Sequence, residues 1–154
     1  MPAGDALDTY RHKRDFSATP EPRGDAAPHD AGRFRFVVQE HHARRLHWDF
    51  RLEHDGVAAS WAVPRGIPLE PGVLRLAVQT EDHPLDYMDF EGEIPPGEYG
   101  AGRVLIWDRG TYDCEKWTDR EVKVVLHGER VHGRYVLIKT NGRRWLMRRL
   151  DPPQ

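Results

Sequence analysis

Cysteine, lysine and long apolar runs are all scarce in this chain, and each scarcity excludes something. The lone cysteine, Cys114, cannot close an internal disulfide. A disulfide-stapled secreted scaffold is therefore excluded, and a reducing compartment fits. Cys114 itself reads as a buried or strand cysteine and not as a nucleophile. No run approaches the roughly 18 apolar residues of a membrane span, and the opening "MPAGDALDTYRHKRDF" lacks a signal peptide's hydrophobic region. The expected address is cytoplasmic, with no membrane contact. Positive charge is in short supply too: the formal net charge is −2, too little for a protein that coats nucleic acid by bulk attraction. Of 23 basic residues only Lys13, Lys116, Lys123 and Lys139 are lysine. The rest are arginine, which grips a phosphate bidentately where lysine offers a point charge. An arginine-rich composition from a GC-rich genome would look the same.

What is present suits one folded domain: 154 residues, 38% apolar and 31% charged. Residues 1–32 read as a flexible N-terminal arm, because "ATPEPRGDAAPHDAG" is rich in Pro, Ala, Gly and Asp without any apolar period. Ahead of that stretch, "YRHKRDF" is basic and aromatic, as a substrate-touching arm would be. Residues 33–154 form the expected domain. Runs of strand character fall at 33–40, 46–53, 57–63, 74–80, 103–108, 110–117, 121–128, 134–140 and 143–150. Turn signals separate many of them: "HDG" at 54–56, "DRG" at 108–110 and "NG" at 141–142, the last predicting a two-residue type I′ hairpin turn. No amphipathic helix is convincing. About eight short strands imply an antiparallel barrel or sandwich. The acidic segment 80–102, broken by Pro and Gly, reads as a long functional loop.

Side chains alternate along a strand. In "HWDFR", Trp48, Phe50 and Leu52 face one way, and His47, Asp49 and Arg51 face the other, about 7 Å apart. His41 lies just upstream, past an interrupting "ARR". Two imidazoles and a carboxylate suit Mn, Fe, Zn or Co with positions left open for water and substrate. Arg51 beside them would neutralise an anion, and "EDHPLDY" offers His83 and Tyr87 from a distant segment. A metal beside Arg and His suits phosphoryl chemistry. A solvated strand face with ordinary polar residues is the bland reading of the same pattern.

Two other classes fit parts of the sequence. His47 and Asp49, joined by His127 or His132, would make the facial triad of a non-heme Fe(II) oxygenase. The pairs Arg44–Arg45, Arg143–Arg144 and Arg148–Arg149, with Trp145 among them, would suit a noncatalytic nucleic-acid-binding module.

The stretches "FVVQEHHARRLHWDFRLEHDGVAASWAVPRGIP" and "RLAVQTEDHPLDYMDFEGEIPPGEYGAG" closely resemble the 3′-phosphoesterase domain of bacterial DNA ligase D. The likeness is dense from residue 34 to about 112, weaker beyond, and extends to the arm's "YRHKRDFSATPEP". It implies a mainly β fold, a small closed antiparallel barrel of about eight strands with an extended N-terminal arm. It also implies a manganese-dependent enzyme (Co²⁺ or Zn²⁺ as alternatives) that heals DNA 3′ ends in end joining. Such an enzyme removes a terminal ribonucleotide and then converts the 3′-phosphate left behind to 3′-OH. By resemblance, His41, His47 and Asp49 are the metal ligands. Arg51 and His83 hold the scissile phosphate, His83 doubling as general acid, with Tyr87 beside them. Gln39 and Glu81 support the site, and Arg14, Asp15 and Glu21 in the arm bear on activity. Arg65 stands where the family commonly has lysine, Trp48 where it has tyrosine, and His42 matches no ligand position. The implied substrates are DNA or RNA–DNA primer–template 3′ ends. A stand-alone enzyme or excised domain is expected, able to work beside a separate ligase, polymerase or Ku.

Overall fold

The computed structural model describes residues 6–24 and 34–150. Alternating apolar residues draw the described chain into strands β1 (Arg35–His42), β2 (Leu46–His54), β3 (Val57–Val63), β4 (Arg75–His83), β5 (Gly92–Ile94), β6 (Gly102–Trp117), β7 (Glu121–His127), β8 (His132–Asn141) and β9 (Arg144–Arg149). Helical structure there is limited to α1 (Asp8–His12) and a 3₁₀ turn (Leu85–Asp89). Strands pair antiparallel in the order β1-β2-β3-β4-β9-β8-β7-β6, and β6 returns to β1. That pairing closes an eight-stranded barrel, with β5 added to the first residues of β6 as an extra strand. Closure removes the unpaired edges that an open sheet would expose.

The barrel is filled from the inside by Phe36, Val38, Phe50, Leu52, Trp61, Tyr135, Leu137 and Met147, among others. Each large side chain so buried contributes about 1.5–3 kcal/mol. Trp145 belongs to this interior and is only 2% exposed, so it is not free to stack on a base. Cys114 lies in β6 as a strand residue and is exposed.

Turns differ from expectation in two places. No turn forms at 108–110, where β6 runs straight through. Gly110 makes this possible: a Cβ there would come within 2.0 Å of the His127 carbonyl oxygen, so only glycine lets β6 pass from its β1 pairing to its β7 pairing. At the β8–β9 hairpin the pair Asn141↔Arg144 makes Gly142 and Arg143 the central residues, with positive φ at Gly142 alone, which is not type I′. The type I′ signature belongs to Asp55–Gly56, both at positive φ between the paired His54 and Val57. The 80–102 segment is also more ordered than a loop: it holds the end of β4, the 3₁₀ turn and β5.

The outer face of β1 and β2 is not a solvated strand surface. The 84–94 segment lies over it, burying Val37 and Ala58 against Leu85 and Met88, and Val104 against Tyr87, Phe90 and Ile94. Residues 6–24 add Tyr10 to this outer layer, fully buried. The polar side chains on that face are thus enclosed.

Candidate functional site

Register decides which polar residues meet. His41 stands opposite His47, Gln39 opposite Asp49 and Val37 opposite Arg51 across β1–β2, while Ser60 of β3 stands opposite Arg51. Directly opposed residues have Cβ atoms about 4.5–5.5 Å apart, so the five polar residues of β1 and β2 form one patch.

Ligand atoms of His41, His47 and Asp49 all lie within 4.8 Å of one another, a spacing that could hold a metal ion. The donor set passes a further test. His41 Nε2 is 2.6 Å from the Gly100 carbonyl, to which it donates, leaving Nδ1 turned toward Asp49 at 3.4 Å. His47 mirrors this: Nδ1 donates to the Arg45 carbonyl at 3.1 Å, and Nε2 lies 3.2 Å from Asp49 Oδ2. Backbone carbonyls therefore hold one nitrogen of each imidazole and turn the other toward Asp49, to which it donates when protonated; deprotonated, these two nitrogens would aim lone pairs at one point, the arrangement found around bound metals. Burial would raise the Asp49 pKa, but the Arg51 guanidinium and hydrogen bonds with both histidines outweigh it and hold the carboxyl well below the usual range. The set His₂Asp is nitrogen- and oxygen-rich with open positions, which suits a divalent transition metal.

Next to it sits a cationic, anion-ready half. Arg51 Nε donates to Gln39 Oε1 at 2.6 Å and Nη1 to Ser60 Oγ at 2.8 Å, and its Nη2 is 3.6 Å from Asp49. Gln39, in turn, donates to the Tyr87 and Phe90 carbonyls at 2.8 and 3.1 Å, tying the patch to the covering segment. The Arg51 guanidinium lies 4.8 Å from the Tyr87 ring centroid. His83 completes the group at the end of β4. Its ring meets Tyr87 and Tyr10 edge-on, and its Nδ1 donates to the Glu81 carbonyl at 2.9 Å. Burial, then Arg51 and Arg14, push the His83 pKa well below its ordinary value, so the ring is neutral with Nε2 as its acceptor.

The arm delivers a second guanidinium. Arg14 stacks on Tyr10 at 4.0 Å, pairs with Glu21 at 2.9 Å and places Nη2 3.5 Å from His83 Nε2. Thr19 donates to Glu21, and Tyr10 OH donates to the Pro22 carbonyl, which locks the arm's local loop. Glu81 is enclosed, accepting from Lys13 at 2.9 Å and Arg14 at 3.4 Å; those partners lower its pKa against the opposing effect of burial.

Ten of the twelve residues expected from sequence thus converge: His41, His47, Asp49, Arg51, His83, Tyr87, Gln39, Glu81, Arg14 and Glu21. Two do not. Asp15 is exposed and accepts from the Ser17 amide and hydroxyl, shaping a turn. Arg65 lines a separate groove beside Trp48 and Trp107. His42 faces away from the patch and pairs with Glu40 at 2.5 Å. His127 is exposed and hydrogen-bonded to Asp113, and neither it nor His132 joins the cluster among the described residues. Sequence reasoning missed Ser60, Tyr10 and Gly100. Ser60 was findable as the polar residue on the outward parity of "VAASWAV"; Gly100 acts through its backbone and leaves no side-chain signal.

The family model for the DNA Ligase D 3′-phosphoesterase domain matches residues 39–139. The chain belongs to this family. Relatives include the multifunctional non-homologous end joining DNA repair protein LigD of Mycobacterium tuberculosis (strain ATCC 25618 / H37Rv), 59% identical over 97% of this chain and 20% of the relative. LigD of Mycolicibacterium smegmatis is 51% identical over 97% of the chain and 21% of the relative. LigD of Pseudomonas aeruginosa is 52% identical over 92% and 18%. The chain therefore spans about a fifth of the length of these relatives. Among the described residues no helix is long and apolar enough to cross a membrane.

Proposed function

We propose that this domain is a metal-dependent phosphoesterase that heals 3′ ends of DNA or mixed RNA–DNA strands. It takes the terminal ribonucleotide off a primer strand by hydrolysing the P–O5′ bond, so that the ribonucleoside leaves and its phosphate stays as a 3′-phosphate, and then hydrolyses that phosphate to a 3′-OH. The observation that carries the reading is a metal-ready His41–His47–Asp49 set against two buried guanidiniums and a neutral histidine. The family's name supports it, and the relatives' names support a role in non-homologous end joining; a separate ligase, polymerase or Ku is the partner this reading proposes.

His41, His47 and Asp49 hold the metal, for which Mn²⁺ is the proposed ion and Co²⁺ or Zn²⁺ alternatives that suit the same donors. When bound, a divalent ion polarises a phosphoryl oxygen and lowers the pKa of a water molecule. The protein's own groups do the rest. Arg51 and Arg14 bind the phosphate oxygens and neutralise the charge that develops as water displaces the ester oxygen. His83 starts neutral. Burial is the larger cause of its depressed pKa and the field of Arg51 and Arg14 the smaller; phosphate between the guanidiniums offsets that field, and His83 Nε2 passes a solvent-derived proton to the leaving oxygen. Tyr87 and Tyr10 enclose the ring and exclude water, and Gln39 and Ser60 hold Arg51 in place.

A radiolabelled primer–template ending in one ribonucleotide, or in a 3′-phosphate, tests this. Shortening and dephosphorylation are expected with Mn²⁺ and none with EDTA. Intact substrate under both conditions refutes the enzyme reading.

A further inference from the structure

A second recess opens at the end of the barrel beside the metal cluster. It is a groove of about 360 Å³ lined by Trp48, Arg65, Ile67, Val73, Arg75 and Trp107 with their neighbours. Trp48 stands between His47 and Asp49 in β2 and so faces away from them, into the barrel mouth. Trp107 lies where β6 bulges opposite Val38 and Gln39. A bulge re-aims the residue it adds, and here both tryptophans pack half-buried against the rim of the main core. Arg130, from the β7–β8 turn, lies over the Trp107 ring at 5.0 Å from its centroid. Arg75 enters from the start of β4 and lines the groove with Arg65. Against Arg65, Arg75 and Arg130 stands a single lining carboxylate, Glu70. Flat aromatic surface ringed by guanidiniums matches a base with its phosphate.

We propose that this groove is a nucleotide subsite: it takes one unpaired base against Trp107 and Trp48, with Arg65 and Arg75 on its phosphate. The inference rests on the nucleic-acid reading above, and the occupant is the substrate itself at a nucleotide away from the reacting end. The β1–β2 turn joins the two sites. It carries the exposed Arg44 and Arg45, so a strand leaving the outer face over this turn meets positive charge before it reaches the groove.

Fluorescence anisotropy in EDTA with labelled 3′-OH oligonucleotides reads the subsite without any cleavage. Three probes are needed: a duplex with an unpaired 5′ template overhang, the same duplex with an abasic overhang, and a duplex with an unpaired 3′ flap. Trp107→Leu keeps apolar packing and removes the stacking face; it should weaken binding of a base-containing probe about tenfold and leave the abasic probe unchanged. Arg130→Ala, an exposed side chain, should weaken the same probe about threefold. An effect confined to the overhang assigns the base to the template, and one confined to the flap assigns it to the primer. Wild-type binding of every probe by both variants, or equal wild-type affinity for base-containing and abasic probes, overturns the subsite. Metal-dependent cleavage surviving that result would leave the end-healing reading intact, and loss of cleavage with base-dependent binding would do the reverse.

Discussion

His83 carries a pH signature that separates it from its neighbours. Burial, Arg51 and Arg14 hold its folded pKa below the unfolded value near 6.5. Above pH 6.5 both states are neutral at this residue. As pH falls below 6.5 the unfolded chain binds a proton that the folded chain refuses, so stability drops by up to about 1.4 kcal/mol per pH unit. His47 acts in the opposite sense, because Asp49 raises its pKa against the pull of burial. The His83 contribution is therefore read as a difference: metal-free His83→Gln should lose less Tm between pH 7 and pH 5 than metal-free wild type. Parallel Tm profiles would contradict the burial of a neutral imidazole. The roles divide in the same way for the metal. His47→Ala should abolish Mn²⁺ binding in titration calorimetry and both hydrolytic steps with it. His83→Ala should keep Mn²⁺ affinity within a few-fold while activity falls by about 10²–10⁴; collapse of metal affinity would make His83 a ligand instead.

At the scale of elements, the arm and the β7–β8 turn are held by different means. Tyr10, Arg14 and Glu21 fix residues 6–24 over the patch. Among the described residues the arm makes no strand pairing to the barrel, so residues 6–24 can leave without unfolding it. Tyr10→Ala should accordingly raise cleavage by protease within 6–24 and lower activity through loss of Arg14, with Tm changed by only a few degrees. Asp108 presents the opposite case. Its buried carboxylate accepts from the backbone amides of Glu129, Arg130 and Val131 at 2.8–3.1 Å. Asp108→Ala strands these donors and should cost about 3 kcal/mol, or roughly 6–12 °C in Tm. Little of this is legible in sequence. The strand parity of "HWDFR" sorts His47, Asp49 and Arg51 from Trp48 and Phe50 because period two is a local property. The covering of that face is not local: Tyr10 meets His83 across more than seventy residues, and no alternation pattern encodes it. Likewise "DRG" carries a real turn preference that tertiary pairing overrides, since closing β6 onto both β1 and β7 outweighs it.

For the whole molecule, charge placement matters more than charge total. With a net charge of −2 the protein has no long-range attraction for DNA, so its affinity must come from a few local arginines. The barrel keeps those arginines on one end: Arg51 and Arg14 in the enclosed patch, Arg44 and Arg45 on the β1–β2 turn beside it. Each phosphate neutralised on duplex DNA contributes about −0.9 to the slope of log K against log salt. Two to four such contacts predict a slope of about −2 to −4, well short of a protein that coats DNA. Replacing Arg44 and Arg45 together with alanine should reduce the slope by about 1–2 while leaving Mn²⁺ affinity unchanged, because neither side chain supplies a ligand and the Arg45 carbonyl that orients His47 remains. Anisotropy titrations between 50 and 300 mM salt measure both quantities. A slope steeper than about −6 would mean that the acidic surface is bypassed by many more basic contacts than these. A slope unchanged in the double variant would remove the β1–β2 turn from the path of the strand.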